Sequence, residues 1–447
     1  MTDPSTEVST RMSGEASART PSGKGTGPTV RRRISRRGFA AAGLALPLAG
    51  LSACTAQEDG PRDIVVWHGF TEADGAIIGE LAEEFTASQD RFRIRIEVNP
   101  WNVITDKLLP AISAGNGPDL VVQTPSDGER YARQRALVPV QDFYDDPANE
   151  TDTYRENVTA YTRIDGVQHA VPMGYGPFAC WYSARLFEEA GVDAPPQTWE
   201  EWIDLAERLT VPGDGRPEVY GLTLADRDTS QLVPTMLEAA GGDAYAEGEV
   251  VLDSPQNART LQWWREAYTR GWGPTTITLP KSADLFKNGR AAMTVLGPWM
   301  VDIAASVDLD VGVFAVPAGP ERAVTQAAAN YWWLTAQADE ESREGAYAFL
   351  RHVNSHDAQV RWALGSHYPP NRTDITADEL ADNPYVATMS EFTQDATVRL
   401  DGLPRGGADA ESVLSTLSVH VTEGTGGEVP DLLAQAAEQF AAAIAEE

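Results

Sequence analysis

Reactive side chains are scarce in this chain. Its 447 residues include two cysteines, Cys54 and Cys180, and six histidines. Cys54 closes an apolar N-terminal run and Cys180 sits inside Phe178-Ala-Cys-Trp-Tyr182, so no intramolecular disulfide is expected. An apolar setting makes Cys180 a buried structural thiol rather than a nucleophile. The histidines are scattered. His352 and His356 lie four apart and can share a helical face, but no cysteine or carboxylate completes a ligand set, so they read as surface residues and no metal is expected. There is no Gly-x-Ser-x-Gly elbow, no His-Glu-x-x-His and no phosphate-cradling glycine loop. Carboxylates are plentiful, yet nothing in the sequence sets two of them together as a glycosidase requires. Catalysis has no positive signal, and no cofactor is implied.

Positive charge is also in short supply, with 35 basic against 66 acidic side chains. The first 53 residues hold eight of the basic and three of the acidic ones, so the remainder carries 27 against 63, a net charge of −36. Nucleic acid and anionic lipid both need a basic footprint and are excluded as partners. Beyond the N-terminal region no apolar stretch approaches the roughly 20 residues that span a bilayer.

That N-terminal region is the clearest label in the chain. Residues 1–34, rich in Ser, Thr, Gly and Pro, cannot bury a core and are expected to be disordered. Arg36 and Arg37 then precede an apolar run from Phe39 to Leu51 and the sequence Leu51-Ser-Ala-Cys54. The pattern reads as a twin-arginine lipoprotein signal cut before Cys54, whose thiol and new amino group carry lipid, palmitate included. A transmembrane helix is the weaker reading, because the run is short and holds Gly43, Pro47 and Gly50. Residues 54–62 then form a lipidated tether, and the rest of the chain works on the extracellular face of the cytoplasmic membrane.

Downstream, strand and helix patterns alternate. Ile64–Trp67 reads as a buried strand, and Ile77, Ile78, Leu81, Ala82 and Phe85 fall on one helical face. In Arg91–Val98 the alternation places Phe92, Ile94, Ile96 and Val98 inward. A helix over 103–113 and a strand at Asp119–Gln123 complete a strand–helix–strand–helix–strand order, which argues for a wound α/β lobe. A second block starts near Val171, with strands expected at 178–182, 291–296, 311–316 and 331–335. In it, Thr198-Trp-Glu-Glu201 matches a capping box, with Glu201 reaching back to the backbone of Thr198.

Tryptophan is the residue in surplus. Trp67, Trp199, Trp202, Trp263 and Trp264 lie within strand or helix patterns and read as core. Trp299, after the turn Gly297-Pro298, and the adjacent pair Trp332 and Trp333 are open to either reading, core or ligand contact. Neighbours in an extended segment face opposite ways, so at most one of the pair is expected in a common core. An indole face stacks on the C–H edge of a sugar, and carboxylates and amides bind hydroxyls, so a cleft combining them suits a neutral polyol.

Seven short stretches recur in one order: Val65-Val-Trp-His-Gly69; Gly115-Asn-Gly-Pro-Asp119 with Asp127; Val171-Pro172; Trp181-Tyr-Ser183; Pro196-Gln-Thr-Trp-Glu200; Phe286-Lys-Asn-Gly-Arg-Ala-Ala-Met293; and Leu296-Gly-Pro-Trp299. Behind a lipoprotein signal, this order resembles the family 1 extracellular solute-binding proteins, the sugar- and glycerophosphate-binding subunits of ABC importers. The resemblance covers about residues 62–445. It implies an α/β, two-lobed periplasmic-binding-protein-like fold (type II), with hinged lobes around a central ligand cleft. It places 62–170 and about 325–368 in lobe 1, and 171–324 and about 369–447 in lobe 2. It also implies a monomer that is not an enzyme, with a carbohydrate ligand and membrane permease subunits as partners.

By motif, Asp127 would hold sugar hydroxyls and Trp299 would be the stacking platform. Tyr175 at the hinge and Asp228-Thr-Ser230 occupy positions that face the cleft in relatives; His68 and Glu72 would add polar contacts, and Trp332 or Trp333 would stack beside the second crossing. Two departures bear on ligand size. Gln123-Thr124 and Glu411-Ser-Val413 stand where maltodextrin binders carry aromatics, which favours a mono- to trisaccharide. Arg405, in Gly402-Leu-Pro-Arg-Gly-Gly407, matches the loop where glycerophosphate binders carry a phosphate-binding arginine, and it also reads as a solvated loop cation. Replacing it separates these: Arg405→Ala abolishes affinity for glycerophosphate if the first reading holds. Unchanged affinity for every cleft ligand eliminates it.

Overall fold

The computed structural model describes residues 60–71, 73–227, 232–397 and 407–445. Cys54, Glu72, Asp228, Thr229, Ser230 and Arg405 lie outside these residues.

The described residues build two large sheets, beside two short two-stranded ones. The first uses β1 (Arg62–His68), β2 (Phe92–Val98), β3 (Leu120–Gln123), β4 (Ala170–Pro177), β9 (Thr325–Leu334) and β10 (Ala396–Thr397). The second uses β5 (Ala179–Ser183), β6 (Tyr220–Thr223), β7 (Ala291–Leu296) and β8 (Val311–Phe314). In the first sheet β1 lies parallel between β2 and β3, and β9 runs antiparallel to both β3 and β4. In the second the order is β8-β5-β7-β6, with β7 parallel to β6 and antiparallel to β5. Residues 171–177, which the resemblance assigned to the second lobe, are hydrogen-bonded along β9 inside the first sheet.

Each sheet is covered on both faces. In the first, Val66, Leu120, Val122 and Trp332 face the helices Ala73–Ala87 and Glu340–Val353, while Trp67, Val121, Tyr131 and Trp333 face the other way. Alternation along β9 thus gives Trp332 and Trp333 a core each. Trp332 is 2 % exposed and packs edge-on against Phe349; Trp333 is fully buried and donates its indole N–H to the Gln123 carbonyl at 3.2 Å. The expectation that one of the pair needs an outside partner assumed a sheet with one covered face. In the second sheet Cys180 and Trp181 divide between two cores in the same manner, and burial pushes the Cys180 thiol above the range in which it ionises.

Local signals act largely as the sequence implies. Thr198 caps the helix Trp199–Leu209 by accepting from Glu201 N, but Glu201 takes the N–H of Gln197 at 2.8 Å rather than that of Thr198. Val98 is 53 % exposed instead of inward, because it ends an edge strand whose pairing to β1 stops at this residue.

Close packing predicts one sensitive site. A methyl group on Gly128 would lie 2.0 Å from the Trp333 ring. Gly128→Ala is expected to cost about 1–3 kcal/mol through overpacking, read as a lower urea midpoint. An unchanged midpoint contradicts this packing.

Candidate functional site

Parallel strands aim their carboxyl ends at one edge, and open α/β sheets bind ligands outside that edge. In the first sheet the edge carries His68 after β1, Trp101 after β2 and Thr124–Asp127 after β3. In the second sheet, β6 and β7 are parallel and end at 224–227 and Gly297–Trp299.

His68 is 1 % exposed at the end of β1. Its Nδ1 accepts the Phe70 N–H at 3.2 Å, which leaves the ring proton on Nε2. That Nε2 is buried with no hydrogen-bond partner among the described residues. Desolvation holds the ring neutral, with its pKa lowered to about 4. A neutral imidazole with one free N–H is a donor waiting for an acceptor oxygen. Gln123, at the end of β3, also has no acceptor for its buried Nε2 among the described residues.

Asp127 occupies the first turn of the helix Pro125–Arg133, which Thr124 caps. Its carboxylate accepts from Arg130 at 2.8 Å and stays partly exposed. Beside it, Ser126 Oγ donates to Glu411 of the helix Gly407–Glu423 at 3.3 Å. This bond brings the β3 edge of the first sheet to a helix packed against the second.

Trp299 is half-buried and packs against a core of each sheet. Its ring meets Phe178 edge-on at 5.4 Å and presses on Gly297, where a methyl group would lie 2.1 Å from the indole. Gly176 of β4 is similarly bare, since a Cβ there would meet Pro298 at 2.7 Å and Tyr368 at 2.8 Å. Tyr368 is buried, and its hydroxyl is held protonated by burial and by the charges of Asp74 and Asp302.

Tyr175 is placed differently from the expectation that it faces the cleft. It is fully buried on the side of β4 away from Gly174 and Gly176, donates its hydroxyl to the Ala396 carbonyl at 2.7 Å, and accepts from Asn157 at 3.2 Å. Trp332 and Trp333 lie in cores as well. Of the candidates within the described residues, His68, Asp127 and Trp299 remain at the strand ends. Trp101 and Tyr368 join them unanticipated. Trp101 is 38 % exposed and lies edge-on to Phe70 at 5.0 Å; the Asn99-Pro100 turn after an alternating strand was its available signal. Among the described residues no group of three His, Cys, Asp or Glu can hold a metal ion, and no helix is long and apolar enough to cross a membrane.

Comparison with known proteins agrees with this fold. The family profile described as bacterial extracellular solute-binding protein matches residues 80–388. A maltotriose-binding protein of Pyrococcus abyssi is 22 % identical, over 76 % of this chain and 73 % of its own. An sn-glycerol-3-phosphate-binding periplasmic protein of Brucella melitensis is 22 % identical, over 69 % of this chain and 74 % of its own. In three dimensions, a cyclic alpha-maltosyl-1,6-maltose binding protein from Arthrobacter globiformis superposes with a TM-score of 0.76 at 21 % identity, covering 87 % of this chain and 100 % of that one. The maltose-binding type of two-lobed periplasmic fold is thus the fold of this chain.

The buried His68 makes stability depend on pH. Above its ordinary value of 6.5 both folded and unfolded chains keep the ring neutral, and its contribution is fully present. As the pH falls from 6.5 toward 4, only the unfolded chain takes up the proton, and stability falls by up to about 3 kcal/mol. His68→Gln is expected to flatten that decline in urea unfolding between pH 7 and pH 4. An undiminished slope would show that His68 is not its source.

Proposed function

We propose, because the chain belongs to the family of bacterial extracellular solute-binding proteins, that it captures a carbohydrate of one to three sugar units between its two lobes and delivers it to an ABC permease. Trp299 carries the reading: a half-buried indole in contact with both lobes' cores, in the turn that follows a strand. Stacking on its face, donation from His68 Nε2–H and acceptance by Asp127 together match a polyol, which offers C–H faces, acceptor oxygens and donor hydroxyls at once. Glu72, Asp228 and Arg405 complete the proposed wall, and Trp101 and Tyr368 are added to it.

The lobes divide, in this reading, where β4 passes into β5 and where the chain returns along β9. Ligand touching both walls favours the closed form, and capture is a shift of that equilibrium. A micromolar dissociation constant corresponds to about −8 kcal/mol, within reach of one stacked ring and several hydrogen bonds. The chain acts as a monomer and does not alter its ligand. Cys54 carries the lipid that keeps the clamp beside its transporter, after export by the twin-arginine route. A glycerophosphate ligand is the second reading, favoured by the Brucella relative and by Arg405. Against it, the carboxylates of Asp74, Asp127, Asp302 and Glu411 would repel a phosphate.

A thermal-shift screen of the chain from residue 55 against sugars, polyols and glycerophosphates tests this, because a ligand that binds only the folded state raises the melting temperature. A sugar is expected to give the largest rise, and Trp299→Ala to weaken its binding by about tenfold or more, or ~1.4 kcal/mol. Full affinity in that variant means the cleft lies elsewhere. Recovery of shortened sugar after incubation would identify a hydrolase instead. Separately, Cys54→Ser is expected to abolish palmitate labelling and release the protein from membranes; continued labelling contradicts the lipoprotein assignment.

A further inference from the structure

A second histidine, outside the strand ends, joins elements of the two lobes. The helix His356–Ser366 packs on Ala73–Ala87 of the first lobe and ends at His367, whose backbone is left-handed, with φ 67° and ψ 6°. Glycine is the ordinary occupant of that position. A histidine there must be held by its side chain, and both ring nitrogens of His367 are engaged.

Nδ1 lies 2.8 Å from the Asn383 amide nitrogen, and Nε2 lies 3.3 Å from Asp302 Oδ1. Asn383 is not free to turn its amide over. Its Oδ1 caps the helix Pro384–Glu391 by accepting Val386 N–H at 3.2 Å, and its Nδ2 also donates to the Leu364 carbonyl at 3.3 Å. His367 Nδ1 is therefore an acceptor, and the neutral ring carries its proton on Nε2, the nitrogen facing Asp302.

Both partners belong to the second lobe. Helix Pro384–Glu391 packs on β8, with Tyr385 donating to the Val311 carbonyl at 3.3 Å. Asp302 stands in the first turn of the helix Met300–Ala305, whose Met300 and Ala304 enter a core of the second sheet, and Trp299 is the residue that begins this helix. One imidazole so connects the end of a first-lobe helix to the helix that carries the indole. Its chain neighbour Tyr368 packs toward Gly176 and Pro298 on the same side.

We infer that His367 is a positioning residue: its fixed N–H on Asp302 holds the helix Met300–Ala305, and with it Trp299, in its placement against the first lobe. The inference rests on the reading of Trp299 as the ligand platform, but it is tested without ligand. In the full chain carrying Cys54→Ser, spin labels are placed at Lys107→Cys on the first lobe and Thr416→Cys on the second, both exposed; Cys180 is buried and stays unlabelled. Pulsed electron resonance then reports the distance between the lobes.

His367→Gly is expected to add a longer-distance population while leaving the melting temperature unchanged or higher, because glycine relaxes the left-handed backbone. Asp302→Ala is expected to add the same population, and the double variant no more than either single one. If the distances stay as in the parent, or if the two single effects sum in the double variant, the inference is overturned. A lower melting temperature of His367→Gly with unchanged distances would make the residue a helix cap only. Sugar affinity, measured separately, bears on the platform reading and not on this result.

Discussion

The pairing of β4 with β9 is the constraint on which the rest of the molecule depends. These antiparallel strands finish the first sheet from one side, and at their far ends the chain enters and leaves the second sheet. Phe178, the residue after β4, donates its N–H to the Gln326 carbonyl at 2.7 Å, so the ladder continues to the point where the chain crosses. Small residues on one side of this ladder, Gly174 and Gly176, leave room for Trp362, Tyr368 and Pro298. On the other side Tyr175 fastens Ala396 of β10 to the same ladder. A narrow, hydrogen-bonded crossing between two large cores is a hinge by construction, stiff along the strands and compliant between the sheets.

Given that hinge, the chemistry collects at the sheet edges for electrostatic and geometric reasons. His68 and Gln123, the last residues of β1 and β3, are each buried with one side-chain nitrogen unpartnered among the described residues. An unpaired buried donor costs about 1–3 kcal/mol.

Much of this was legible in the sequence, and the failures have one physical origin. β1, the cap at Thr198 and the position of Trp299 after a strand follow from local pattern, because period and turn chemistry are local properties. Trp332 and Trp333 are misjudged by the same local logic, and Tyr175 by the resemblance that set it facing the cleft. Whether a strand has one covered face or two is decided by helices distant in sequence, and alternation cannot report it. Tyr368 and His367 are invisible for the same reason, since their neighbours Gly176, Pro298 and Asp302 arrive only when the lobes assemble. Fold class survives these errors; the exact membership of the site does not.

The account stands or falls on closure around a ligand. Small-angle scattering of the protein, alone and saturated with the sugar that raises its melting temperature most, measures this directly. A ligand held between two lobes predicts a smaller radius of gyration in the bound state, and Trp299→Ala predicts that far more sugar is needed to reach it. A saturated complex whose radius of gyration equals that of the free protein would contradict capture by hinge closure.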